Sequence, residues 1–383
     1  MKTKKFLLFA GAALVASSAL VFTSCSDNDD STAGQASKAK NENTISFRAL
    51  TPTSASTRAT GITPSNYLEL MKDFKVWAYF ADNAKNAGSY YVGAEGENGI
   101  FINGNGKGSW TYLNSEDEQY WPSADDGALN FYAITPASND NYIYSGSSVT
   151  YTVPTDNKKQ VDLMFAQANN QLKTTNGGIV ALNFQHALSQ IRFTGESMSK
   201  SLKVEVKGVS IKNVINSETV NMKNIKASSL GTQRSSYSVG LASAASVSYG
   251  TKTALNDANG NLLLVPQILN KWENTKENKV ATSDADAKGQ SYIAVECKMY
   301  SVTSDGKKNY FLGSDSTYGT AYIPFAATWL PGNIYTYNIR FADTTGPGSD
   351  VPGGFNDGGD PIMTPITYSV SVSDWNTVDS SNL

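Results

Sequence analysis

Apolar and polar residues alternate with a period of two along most of this chain, in short runs separated by Gly, Pro and Asn. That period places alternate side chains on opposite faces of a pleated strand. Thr44-Ile45-Ser46-Phe47 is the first such run, followed by Phe74 to Phe80, Leu129 to Pro136 and Val149 to Pro154. Ile179 to Phe184 and Leu188 to Phe193 come next, and their closeness predicts an antiparallel pair. Leu202 to Val206, Val209 to Val214, Leu262 to Pro266, Ser291 to Val302, Tyr318 to Phe325 and Tyr335 to Phe341 continue the series. The last run is Ile366 to Val372, in which Ile366, Tyr368, Val370 and Val372 share one face and Thr367, Ser369 and Ser371 the other. Almost no stretch keeps a helical period beyond two turns; Asn66 to Lys72 reads as a single turn of helix. Turn signals at this spacing predict an all-β protein of β-sandwich type.

Breaks in the pattern divide the chain. Residues 25–43 are polar and lack aromatics, which predicts a disordered tether. Thr51 to Thr63 holds Arg58 and reads as an exposed loop after the first strand. Asn169 to Gly178 closes on Gly177-Gly178, so one domain is expected over 44–176 and a second over 177–342. Asn221 to Asn261 is weakly patterned and predicts loops with short strands, and Trp272 to Lys288 predicts a charged loop. Thr344 to Pro361 carries six glycines and three prolines. Residues 343–383 are therefore expected to be a flexible linker bearing one final strand.

The first 24 residues have a different pattern. Lys2, Lys4 and Lys5 precede an apolar run from Phe6 to Phe22, which ends in Thr23-Ser24-Cys25. A basic flank, a short apolar core and small residues describe a secretory signal. The cysteine after them marks a bacterial lipoprotein, diacylated on Cys25 and then cleaved so that Cys25 becomes the mature N-terminus. An uncleaved membrane anchor is the competing reading, but the run lies at the short edge of what spans a bilayer.

Composition fits this picture. Charged residues make up only 17%, whereas tyrosines number 20, as expected of half-buried sheets in an extracellular protein. The net charge is −3 and becomes more negative once the three signal lysines are removed, which argues against nucleic acid as a partner. With Cys25 assigned to lipid, Cys297 stands alone and no disulfide framework exists within the chain. Cys297 shares a face with Ile293, Val295 and Met299 and reads as a small core residue.

Chemistry-bearing motifs are absent. Asn103 to Gly108 resembles a phosphate loop, but the strand pattern of Gly108 to Tyr112 follows it where a helix is required, so it reads as a hairpin turn. His186 is the only histidine, and a structural role is expected for it. The acidic groups at Glu116 to Glu118 and Asp125-Asp126 lie in turn-like segments. No catalytic residue, metal or cofactor is expected, and the chain does not read as an enzyme.

Several segments together resemble the Bacteroides-type fimbrillins, the subunits of type V pili. They are the lipoprotein start with the acidic run Ser26 to Asp30, Ile45-Ser46-Phe47 with Thr57-Arg58-Ala59, and Phe74 to Tyr79. Tyr120-Trp121-Pro122 before Leu129 to Ala133, and Phe184 to Phe193, extend the match. Trp329-Leu330-Pro331-Gly332 before Tyr335, and Val370 to Trp375, complete it. The acidic run also resembles a surface-export signal of that group. The resemblance implies two transthyretin-like β-sandwich domains in series. It further implies a lipidated precursor at the outer membrane surface, and an arginine-specific protease that cuts the loop after the first strand. The first strand then leaves, and the C-terminal strand of the next subunit fills the groove.

On this resemblance Arg58 is the preferred cleavage position. Arg48 is the second choice because it adjoins Phe47 within the strand signal. Ile366, Tyr368, Val370 and Val372 are the expected donor face. Expected partners are other fimbrial subunits, the outer membrane through Cys25, the protease, and host or bacterial surface ligands. A surface lipoprotein that binds glycans, with its six tryptophans and many tyrosines as a stacking platform, is the alternative.

Overall fold

The structure, a computed structural model, describes residues 42–50, 70–256, 260–275, 277–343, 354–362 and 364–375. They fall within one unit, Gly34–Leu383, and are nearly all β. A seven-stranded sheet runs in the order Gln185–His186, Met164–Gln171, Leu129–Thr135, Asp73–Phe80, Ile100–Gly104 and Trp110–Tyr112, with Tyr90–Val92 also on Asp73–Phe80. Its central strands are rich in aromatic and β-branched residues. They send alternate side chains into two cores: Val76, Ala78 and Phe131 into one, Trp77, Tyr132 and Ile134 into the other. Trp77 stacks on Tyr132 at 5.4 Å. Gly99 is required beside it, because a Cβ there would press on the Trp77 ring and on Lys75 Cγ.

Two five-stranded sheets enclose most of the larger core. One has the order Thr253–Ala254, Ser189–Ser197, Asn333–Phe341, Ile366–Asp374, with Leu262–Leu264 also on Ser189–Ser197. The other runs Arg234–Val247, Leu202–Ile215, Tyr292–Val302, Lys308–Leu312, with Gly319–Pro324 also on Tyr292–Val302. A four-stranded sheet pairs Ser148–Thr152 with Ser217–Asn221, and the first strand, Ser46–Leu50, pairs with Ile179–Asn183. Both pairings cross the expected division between residues 176 and 177.

Four expectations are corrected. Ile179–Asn183 and Ser189–Ser197 are not partners: the former joins the first strand and the latter Asn333–Phe341, both in parallel. Sequence proximity suggested a hairpin, but the chain between them changes sheets. Leu202 to Val214 is one strand whose register shifts between Val206 and Gly208, a bulge that splits the apolar pattern in two. Arg234–Val247 is a fourteen-residue strand where loops with short strands were expected. Its Ser, Ala and Gly content hides the period, which only Tyr237, Val239 and Val247 reveal by burial.

The remaining correction concerns two segments that pack together. Trp272, from the expected charged loop, is fully buried against Phe355, from the expected linker, with ring centres 5.6 Å apart. Ala285 of the short helix Thr282–Ala287 and Tyr292 complete this small core. Phe355 also exchanges two backbone hydrogen bonds with Tyr322, both 2.9 Å. Residues 354–362 are thus held in place. Residues 344–353, the rest of the expected linker, lie outside the described residues.

Candidate functional site

The first strand lies in an apolar trough. Ile45, Phe47 and Ala49 are buried, while Arg48 and Leu50 face outward. The Phe47 ring meets Phe74, Tyr112 and Phe131 edge-on, with centroid distances of 5.9, 6.0 and 6.0 Å. On one edge the strand pairs in parallel with Ile179–Asn183, and Phe184 N–H donates to the Leu50 carbonyl at 2.8 Å. On the other, Ile45 N–H donates to Gln119 O at 2.7 Å, and Trp121 N–H donates to Asn43 O at 2.9 Å. Tyr112 Oη donates to Ile45 O at 2.8 Å. These contacts use the strand's main chain and three side chains, so they set a shape that another extended segment can satisfy.

Arg48 sits inside the ladder, opposite Ala181. Arg58, like Cys25, lies outside the described residues. So does the apolar run at 6–22; among the described residues no helix is long and apolar enough to cross a membrane.

The last strand, Ile366–Asp374, forms a nine-residue antiparallel ladder with Asn333–Phe341. Of the expected donor face, Ile366 is fully buried, and Tyr368 packs on Phe325 and Tyr337 at 5.4 and 6.0 Å. Val370 and Val372 are 49% and 55% exposed. Antiparallel partners share a face, so all four stand on the side of buried Phe341, Ile339, Tyr337 and Tyr335. The core runs out beneath the two valines. Each end of the strand is fastened. Thr367 Oγ1 donates to Asp343 Oδ2 at 2.7 Å, and that carboxylate pairs with Arg340 at 2.8 Å. At the other end Trp375 N–H donates to Gly332 O at 2.7 Å. The Trp375 indole lies on His186, whose Nδ1 is 2.9 Å from Asp162 Oδ1.

This places the lone histidine in a buried cluster of His186, Asp162 and Trp375. Asp162 was missed by sequence reading, since nothing in the pattern links it to His186. Cys297 is fully buried, and burial pushes its thiol up to about 12, far from a reactive thiolate. Asn103 to Gly108 is a hairpin turn in which Asn105 Oδ1 accepts from the Lys107 and Ser109 N–H groups. Asp117 and Asp126 lie in the short 3₁₀ turns Ser115–Asp117 and Ala124–Asp126, and Lys85 sits 3.5 Å from Asp126. Among the described residues no group of His, Cys, Asp or Glu is placed to hold a metal. All six tryptophans are buried, so none offers the exposed stacking platform of the glycan-binding alternative.

Comparison with known proteins bears on this arrangement. A family model described as fimbrillin-like matches residues 57–375. A fimbrial protein from Bacteroides vulgatus is similar in structure, with a TM-score of 0.58 at 16% identity over 87% of this chain and 99% of that one. At that identity the likeness is one of fold. A candidate cell adhesion protein from Parabacteroides distasonis has a TM-score of 0.48 at 10% identity, covering 88% and 97% of the two chains. The C-terminally truncated tip fimbrial protein Mfa3 from Porphyromonas gingivalis has a TM-score of 0.33 at 10% identity, covering 83% and 97%. No curated protein matches the sequence.

Proposed function

The chain belongs to the fimbrillin-like family, and on that premise we propose that it is a structural subunit of a surface fimbrium, exported as a lipoprotein and assembled by strand exchange. Lipid on Cys25 delivers the precursor to the outer face of the outer membrane. An arginine-specific protease cuts after Arg58, the first strand leaves with its lipid, and the last strand of a neighbouring subunit takes its place. The protein is not an enzyme; its partners are other fimbrial subunits, and through them the surfaces to which the fimbrium adheres. Its two β-sandwich domains meet near residues 176 and 177, with strands exchanged across the seam.

The observation that carries this reading is the attachment of the first strand. It pairs with a single strand, in a two-stranded sheet of its own, and contributes Ile45, Phe47 and Ala49 to a core built by other strands. Its departure would leave an unpaired edge above an apolar trough, which favours capture of another strand. Arg58 is preferred to Arg48 as the cut, because Arg48 is paired within the ladder and a protease needs extended, unpaired backbone. The exposure of Val370 and Val372 supports the donor role of the last strand, whose apolar face is only partly used on its own molecule.

Limited trypsin digestion of the wild type and of Arg58→Ala tests the reading. Cleavage after Arg58 followed by ladders that persist in SDS is expected for the wild type, and neither for the variant. A wild type that is cut at Arg58 yet stays monomeric, with its last strand still protected from exchange, would overturn it.

A further inference from the structure

The two terminal strands carry the same pattern. Ile45-Ser46-Phe47-Arg48-Ala49 reads apolar, hydroxyl, aromatic, polar, apolar. Ile366-Thr367-Tyr368-Ser369-Val370 repeats it in the same direction, with Ile for Ile, Thr for Ser, Tyr for Phe, Ser for Arg and Val for Ala. Both point the first and third of these residues at a core.

We infer that the last strand of a second copy of this chain enters the vacated groove parallel to Ile179–Asn183, with Ile366 in the place of Ile45, Tyr368 in that of Phe47 and Val370 in that of Ala49. This rests on the strand-exchange reading and adds a direction and a register to it.

The register follows from the ring-lined site. Three aromatic rings surround Phe47 edge-on, a setting that favours an aromatic guest. Tyr368 is the only aromatic among Ile366, Tyr368, Val370 and Val372. A slip of two residues puts Ile366 or Val370 among the rings and leaves a void. A slip of one turns the serines inward.

The direction follows from side-chain volume and from the backbone. Reverse entry also brings Tyr368 to the rings, but it places Ile366 where Ala49 packs and Val370 where Ile45 packs. Forward entry returns isoleucine to the isoleucine site and puts the smaller valine in the alanine site. In forward register Ile366 supplies the N–H for Gln119 and the carbonyl for Tyr112, and Ser371 supplies the carbonyl for Phe184. Pro365 falls on Thr44; the flanking bridge uses the Ile45 N–H and the Asn43 carbonyl, so the missing proline N–H costs neither bond. Val370, half exposed on its own molecule, becomes covered.

Disulfide trapping tests the register. Arg48 faces Ala181 across the ladder, so forward entry puts Ser369 opposite Ala181. Ala181→Cys in one copy is mixed with Ser369→Cys, Thr367→Cys or Ser371→Cys in another, all in a Cys25→Ser background. The mixtures are cut at Arg58, oxidised, and read as intermolecular disulfides by non-reducing gel and peptide mass. Ser369→Cys is expected to cross-link at least about tenfold more than the other two, since a two-residue offset carries the sulfurs out of bonding range. Dominance of Thr367→Cys, the outcome of reverse entry, or of Ser371→Cys, the outcome of a slip, overturns the proposal while strand exchange survives. Cut, folded protein that gives no cross-link in any mixture overturns strand exchange itself and the register with it.

Discussion

The indole of Trp375 lies flat on the imidazole of His186, with ring centres 4.1 Å apart and planes within 2°. Both rings are buried, and Asp162 fixes the imidazole from its edge. Trp375, the last described residue, is thereby held against the short strand Gln185–His186, which pairs with Met164–Gln171 in the seven-stranded sheet. The last strand is thus held by more than its own ladder.

Trp375→Ala removes that clamp. A loss of about 3–5 kcal/mol is expected, as for other buried aromatic truncations, measured by urea denaturation. The amides of Ser369 to Asp374 should also exchange faster in the folded variant. Unchanged protection there would mean that the ladder with Asn333–Phe341 suffices without the indole.

Phe47→Ala and Arg48→Ala separate the two faces of the first strand. Phe47 fills the ring-lined site, and its truncation should cost about 3–5 kcal/mol. Arg48 faces solvent, and its truncation should stay within about 0.5 kcal/mol. Equal losses in the two variants would show that the trough is not the main holder of this strand.

Alkaline pH should weaken the fold. Burial pushes the Cys297 thiol up from 9.0 to about 12 and the Tyr151 phenol up from 10.0 to about 12. The unfolded chain releases both protons first. Their contribution is therefore complete below about pH 9 and is lost as pH rises from there towards 12. A series of thermal melts should be flat in this respect to about pH 9 and fall above it, less steeply in Cys297→Ala. In the native protein Cys297 should resist a thiol reagent at pH 8 and react once denaturant is added; prompt native labelling would contradict its burial.

Gly99→Ala should destabilise by about 1–3 kcal/mol through overpacking. The new methyl would press on the Trp77 ring, which is itself stacked on Tyr132, and would meet Lys75 Cγ at 2.7 Å. Near-ultraviolet circular dichroism of the Trp77–Tyr132 pair is the direct check, and an unchanged spectrum with unchanged stability would argue against the close approach.

The fold class was legible because the main strands carry large side chains at period two, as in Phe74 to Phe80 or Tyr335 to Phe341. Strand partners were not. Period two says which face is buried but not which edge is paired, and so Ile179–Asn183 was assigned to its sequence neighbour rather than to Ser46–Leu50. Arg234–Val247 escaped notice because small residues line much of it. Phe355 lay among glycines and prolines whose local message is looseness, and only its distant contact with Trp272 reverses that message. At the candidate site the sequence marked the apolar face of the last strand, on which Ile366 is buried and Val370 and Val372 are exposed. The clamp on the last one was hidden, since Asp162, His186 and Trp375 come from three separate segments.

The parallel pairing of Ser46 with Ile179 also bears on the order of events during synthesis. A chain made from its N-terminus exposes Ile45, Phe47 and Ala49 long before translation reaches the strand that receives them. Contacts between residues so far apart in sequence form late, because loop closure must come first. Ser46–Leu50 can therefore pair only after Ile179–Asn183 has been made.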